Sequence, residues 1–362
     1  MAEIDDTLPN ETITDEAFVE QEVTVPNEEM EESSEGVEVT MDEEGGAQID
    51  FDPKAEGLES QDHFSNLAEI MEDQYLGELG STLFDQYTEY KESRADWENT
   101  YREGLELLGF KYERRTEPFR GASGVNHPVL AEAVTQFQAQ AYKELLPADG
   151  PVRAQILGDI SNEKQDQANR VKDFMNYQIM DQMPEYEPEF DQMLFYLPLS
   201  GSTFKKIYYD DLLGRAVSKF VPADDLIVPY SANSLEDAEA IVHVIRMSEN
   251  EIRKQQVSGF YKDVEVGNPP VTSNELKDTE LKLEGITKNS NQDQFNLLEM
   301  HVDLDLEGFE DMGQDGEPTG IKLPYIVTIL ESTNEILSIR RNYTEDDPLK
   351  EKIKYFVQFK FL

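Results

Sequence analysis

From Leu298 to Glu307 the chain alternates without a fault. Leu298, Met300, Val302, Leu304 and Leu306 are apolar, and Glu299, His301, Asp303, Asp305 and Glu307 between them are polar. Strand side chains point to opposite faces in turn, so this period of two predicts a strand with one covered face and one in water. Such a strand belongs in an antiparallel sheet, because parallel strands are covered on both faces and read as continuous apolar runs. The period returns at Ile353, Tyr355, Val357, Phe359 and Phe361. Residues 325–330 and 336–339 flank Ser332-Thr333-Asn334-Glu335 and predict a hairpin. Residues 201–209 and 215–221 predict a second, across a turn at 210–214. Short strands are expected at 152–157 and 224–229, and a clear one at 240–247.

Elsewhere the apolar period lengthens to three and four, the spacing of a helix with one buried face. Phe64, Leu67, Ile70 and Met71 begin this pattern. Phe84, Tyr87, Tyr90, Arg94, Trp97, Tyr101, Leu105 and Leu108 continue it, with Gly109 as a stop. The single tryptophan reads there as a packing anchor. Leu130, Val134, Phe137, Ala141 and Leu145 line another helix. Asn126 is placed to cap it, Pro128 suits its first turn, and Pro147 with Asp149-Gly150-Pro151 ends it. Residues 163–183 carry Ala168, Val171, Phe174, Met175 and Ile179 on one side, and 190–197 resumes helical character after Pro184 and Pro188. Ser248 and Glu251 form a capping box for a short helix reaching about Val257. The fold class is therefore α+β, with helices and small antiparallel β units.

Residues 1–65 stand apart. The first 60 hold 21 acidic side chains and one basic, Lys54, and a segment such as EEMEESSEGVEVTMDEEGG cannot bury enough apolar surface to offset chain entropy. A disordered acidic tail is expected over 1–65, followed by regions at 66–235 and 236–362. The 362-residue chain has a formal net charge of −46, which opposes unassisted binding to nucleic acid or an anionic membrane. It has no cysteine, so disulfides and thiolate zinc sites are excluded. Its opening is acidic rather than basic-then-apolar, and it lacks an apolar run long enough to span a bilayer, so a soluble intracellular protein is expected. The last residues, Lys360-Phe361-Leu362, fall inside a strand pattern, as if a longer chain were cut there.

Catalytic motifs are wanting. Gly121-Ala122-Ser123-Gly124 lacks the lysine of a phosphate loop. Asp303, Asp305 and Glu307 before Gly308 resemble part of a calcium loop, but its twelfth position is Gln314, and strand alternation already explains the acids. His63, His127, His243 and His301 show no zinc spacing. His243 reads as a core or cross-strand partner. No nucleophile elbow places a serine. The expectation is a protein that is not an enzyme and takes no metal or cofactor. One basic cluster interrupts the acidity: Lys111, Arg114, Arg115 and Arg120. It pairs with carboxylates inside the protein or across a subunit boundary, or else meets a phosphate backbone.

Several separated stretches together resemble one family. They are FRGASGVNHP (119–128), LLPADGPV (145–152), residues 190–232, EMHVDLDLEGFED (299–311) and GIKLPYIVTI (320–329). The chain over about 85–362 resembles the portal proteins of short-tailed bacteriophages, in their podovirus form. The resemblance implies a wing-like region and a homo-oligomeric ring of about twelve subunits at one capsid vertex. Such a ring nucleates head assembly with scaffolding and major capsid proteins, admits double-stranded DNA driven by the terminase large subunit, and later joins tail adaptor proteins. It also implies residence in the virion, and in the host cytoplasm during assembly. Arg114, Arg115 and Arg120 then become candidate subunit-interface residues. The crown expected of the family should be missing. Two other readings remain open: an acidic virion assembly or adaptor protein without a channel, and a metal-dependent nuclease using Asp303 and Asp305.

Overall fold

The computed structural model describes residues 63–108, 119–120, 127–158, 161–210, 213–267, 279, 294–312 and 317–361, with the backbone of 38–41 and 47–50. The chain divides into a unit over Met1–Gln61 and one over Asp62–Leu362. In the first, β1 (Glu38–Met41) pairs antiparallel with β2 (Ala47–Asp50), Glu38 opposite Asp50 and Met41 opposite Ala47. A two-stranded ribbon this short is marginal by itself. The rest of residues 1–62 lies outside the described residues, whereas His63 and Phe64, expected in the tail, are held by Tyr343, Arg340 and Arg341.

The second unit is α+β and antiparallel throughout, as the alternation requires. Strands β5 (Leu226–Ile227), β6 (Ala240–Ser248), β7 (Gln294–Leu304), β8 (Leu323–Leu330) and β9 (Glu335–Arg341) form a five-stranded sheet in sequence order. Strands β3 (Ser202–Asp210), β4 (Arg215–Val221) and β10 (Phe356–Lys360) form a second sheet, in which β3 lies between the other two. The two expected hairpins are β3–β4 and β8–β9. Asn334 turns the second with φ of 61°, a left-handed conformation that asparagine tolerates better than most residues.

One face of the larger sheet takes helix α1 (Asp73–Ser93) and the turn Leu67–Glu69. Leu76, Leu83, Tyr87 and Tyr90 of the helix meet Leu298, Met300, Val327 and Ile329. Gly80 allows this approach, since any side chain there would strike the carbonyl oxygen of Asn334. The edge of β9 is closed by Asn66, which donates to Leu337 O at 3.0 Å and accepts from Ile339 N at 3.0 Å.

The opposite face, expected in water, is covered as well. Tyr261 and helix α6 (Glu249–Val257), whose Ser248–Glu251 capping box forms as expected, cover Phe295, Leu297 and Leu337. The smaller sheet covers the rest, with Phe204, Val221 and Phe356 packed on Ile241 and Leu226. Its far side carries helix α5 (Tyr186–Ser200), where Phe190, Met193 and Leu194 meet Leu146 and partly buried Phe137 and Phe220. Phe137 lies on helix α3 (Val129–Leu145). The unit is thus stacked as helix, sheet, sheet and helix, with a second sheet where the alternation implied water.

Several expectations need correction. The long stripe through Trp97 is two helices, α1 and α2 (Ala95–Leu108), with the break at Arg94. Arg94 is buried: its guanidinium donates to the carbonyls of Ala223, Asp224 and Leu226, and to Glu98 at 2.8 Å. Trp97 stacks on Tyr101 at 5.2 Å and donates to Ser200 O at 3.2 Å, the packing role expected. Pro128 occupies the cap position of α3 and supplies no side-chain cap; Asn126 and Gly109 lie outside the described residues. Of the α3 stripe only Val134 is fully buried, and Leu145 yields its place to Leu146. Residues 152–157 pair with no strand, and Leu157 is exposed. Residues 163–183 form α4 (Asn162–Tyr177) and a π-helical turn, Gln178–Gln182.

Candidate functional site

Four ionisable side chains, Glu299, Lys206, His301 and His243, gather between the two sheets. Glu299 of β7, expected in water, is 15% exposed. Its oxygens accept from Lys206 Nζ of β3 at 2.5 and 2.7 Å. His301, two residues along the same face, is buried with Nε2 3.0 Å from Glu299 Oε1. His243 stands opposite Glu299 in the β6–β7 register. Its Nδ1 lies 3.9 Å from the same oxygen, too far for a hydrogen bond, and is buried without one. Phe356 of β10 sets its ring against both imidazoles, at 5.6 and 5.2 Å, and Tyr355 meets His301 at 5.6 Å.

These neighbours set the charges. Burial raises the Glu299 carboxyl, but the Lys206 ammonium and the His301 hydrogen bond outweigh it and hold the group well below the usual carboxylate range. Burial pushes the His301 imidazole down, against the pull of Glu299. Glu299 and Lys206 are thus an ion pair joining the sheets, beside a neutral His301. A carboxylate and two imidazoles are plausible metal ligands, but here the ammonium occupies both carboxylate oxygens. Among the described residues no group of three or more His, Asp or Glu is arranged to hold a metal ion.

On the other side of the smaller sheet Lys205 is buried beneath α5. Its Nζ lies 3.8 Å from the centre of the Tyr186 ring and 5.2 Å from that of Phe190, with no hydrogen-bond partner. Burial pushes this ammonium down to about 8, with Glu189 and Glu185 pulling the other way. Glu185 instead binds Arg215 Nη1 at 2.7 Å. Adjacent lysines of one strand thus serve opposite faces, Lys206 toward the large sheet and Lys205 toward α5.

The acids proposed for cation or nuclease chemistry do not join this cluster. Asp303, Asp305 and Glu307 are exposed at and beyond the end of β7, where the alternation put them. Asp311 pairs with Lys350 and accepts from Thr319. His63 bonds Tyr343 O at 2.9 Å, and His127 is exposed. Of the candidate interface cations, Arg120 is exposed, whereas Arg114 and Arg115 lie outside the described residues.

The sequence reading missed two features. Glu299 and Lys206 are 93 positions apart, and no local signal joins them. The adjacent lysines in an otherwise apolar strand, Phe204-Lys205-Lys206-Ile207, were the one hint, and only Lys206 meets a buried carboxylate. The second feature is α4, whose expected core-facing stripe is exposed at Val171, Phe174 and Met175. No protein-family model matches the chain, and no curated protein is significantly similar to it. No helix among the described residues is long and apolar enough to cross a membrane.

Proposed function

We propose that this chain is a structural subunit of a phage portal-type ring, forming a passive channel for double-stranded DNA and the site where head and tail join. The observation that carries the reading is the set of stretches resembling podovirus portals. Residues 190–232 run from α5 through β3, β4 and β5, 299–311 cover the second half of β7 and the loop after it, and 320–329 lead into β8. These three stretches fall in adjoining elements of the second unit, which supports the reading; most of 119–128 lies outside the described residues.

Charge and chemistry support the same role. A conduit must hold DNA weakly, because each phosphate contact adds to the resistance to sliding. At −46 per chain, a ring of about twelve subunits repels DNA over its surface before counterions are counted. The Glu299–Lys206 pair is engaged in joining two sheets, and Asp303, Asp305 and Glu307 face solvent. In this role the energy for DNA movement comes from the terminase, and the partners are that motor, the scaffolding and major capsid proteins, and tail adaptors.

Negative-stain imaging of the purified protein tests the proposal. The expected result is rings of roughly twelve subunits with a central hole. Compact particles without a hole would favour an acidic virion assembly or adaptor protein. Magnesium-dependent DNA cleavage lost on replacing Asp303 and Asp305 would favour the nuclease reading.

A further inference from the structure

Lys205 carries an ammonium into the protein and finds no hydrogen bond there. The residue is 3% exposed, and among the described residues its Nζ meets no acceptor. Its cover is the first turn of α5. Tyr186 places its ring centre 3.8 Å from Nζ, and Phe190, one turn on and stacked on Tyr186 at 5.9 Å, lies 5.2 Å away. Ring faces attract a cation, but less than the water they displace. The charged groups that face Lys205 do not make up the difference. From α5 come Glu185 and Glu189, and both are engaged: Glu185 binds Arg215 of β4, and Glu189 accepts from Phe220 N at 2.6 Å. Phe220 of β4 and Val357 of β10, which flank Lys205 in the sheet, carry no charge. From α3, Tyr142 is bonded to Glu187. Ser218, on the same face of the sheet, also has a buried hydroxyl without a partner.

The turn that covers Lys205 is also the most lightly held part of α5. Tyr186 is half-buried and Glu187 and Pro188 are exposed, whereas Phe190, Met193 and Leu194 further along are buried. No side chain caps the helix start. The chain reaches it from the π-helical turn Gln178–Gln182, an irregularity of the kind at which helices bend. We propose that the first turn of α5 is a lid over Lys205, which the buried ammonium keeps poised to lift so that the amine reaches water. Burial pushes the covered amine down to about 8, with Glu189 and Glu185 pulling the other way, whereas in water it returns toward the ordinary 10.5. The covered state therefore binds the proton more weakly than the open one. Lifting is most favoured below pH 8 and becomes less so as pH rises from 8 toward 10.5.

Amide hydrogen exchange over residues 186–194, compared with exchange over β7, tests the lid at pH 7 in the native protein and in Lys205→Met. Methionine keeps an unbranched side chain and removes the charge. The expected result is exchange over 186–194 slowed at least tenfold in the variant, with β7 unchanged. In the native protein the opening of 186–194, corrected for the intrinsic rise of exchange with pH, should fall about tenfold between pH 7 and 9. That comparison decides if Lys205→Met does not fold. Equal exchange over 186–194 in native protein and variant overturns the lid. A slowing shared equally by β7 also overturns it, because Lys205 would then act only in global unfolding. So does a native opening that is the same at both pH values.

Discussion

Replacing Glu299 with Gln keeps the side-chain shape and removes the charge that holds Lys206. The ammonium would then lose two charge-assisted hydrogen bonds, of 2.5 and 2.7 Å, while only 14% exposed. Breaking a buried pair by removing one partner costs roughly 3–5 kcal/mol, because the survivor remains desolvated and unpaired. Slight exposure on both sides puts this pair at the lower end, about 3 kcal/mol. For a unit of about 300 residues, at roughly 2 cal/mol/K per residue, that lowers Tm by about 5 °C. Urea titration followed by tryptophan fluorescence reads the loss directly, since Trp97 packs near the smaller sheet. The double change Lys206→Met with Glu299→Leu removes both charges and should recover at least about 1 kcal/mol of it. A loss below about 1 kcal/mol for Glu299→Gln, or a double variant as unstable as the single, would refute the claim that the two sheets are joined through this ion pair.

The same cluster predicts a pH dependence. His301 titrates below its ordinary 6.5 in the folded protein, so the unfolded chain takes up its proton first and stability falls as pH drops below about 6.5. Glu299 titrates well below 4.5 when folded, and its contribution is lost at still lower pH. Urea midpoints between pH 7 and 5 should fall, and His301→Asn should flatten that part of the profile. Gly80→Ala should destabilise by about 2 kcal/mol although alanine is the better helix former, because the methyl collides with the Asn334 carbonyl; thermal melts check the sign. Arg94→Ala should cost about 3 kcal/mol in a urea titration, since it leaves the carbonyls of Ala223, Asp224 and Leu226 without the guanidinium.

The apolar half of the architecture could be read from the chain. Leu298, Met300 and Val302 do share one face against α1, and the Ser248–Glu251 capping box starts a helix as its residues imply. These signals are local, carried by period or by residues three apart. The fate of Glu299 and His301 was not local. It depends on β10 returning to pair with β3, so that a second sheet lies over β7. Alternation reports which side chains share a face, but not what later covers it. Arg94 was invisible for a similar reason: a charged residue within an apolar helical stripe looks like a tolerated exception, whereas its partners are carbonyls of a distant turn. The α4 stripe failed in the opposite sense. The apolar period was real, but only Ala168 and Ile179 of it are half-buried, and Val171, Phe174 and Met175 stay exposed.

The mass of the protein in solution tests the central claim most directly. Light scattering should give one closed species at roughly twelve times the 41.4 kDa chain, unchanged over tenfold dilution. A species of one chain mass at the highest attainable concentration would contradict the ring.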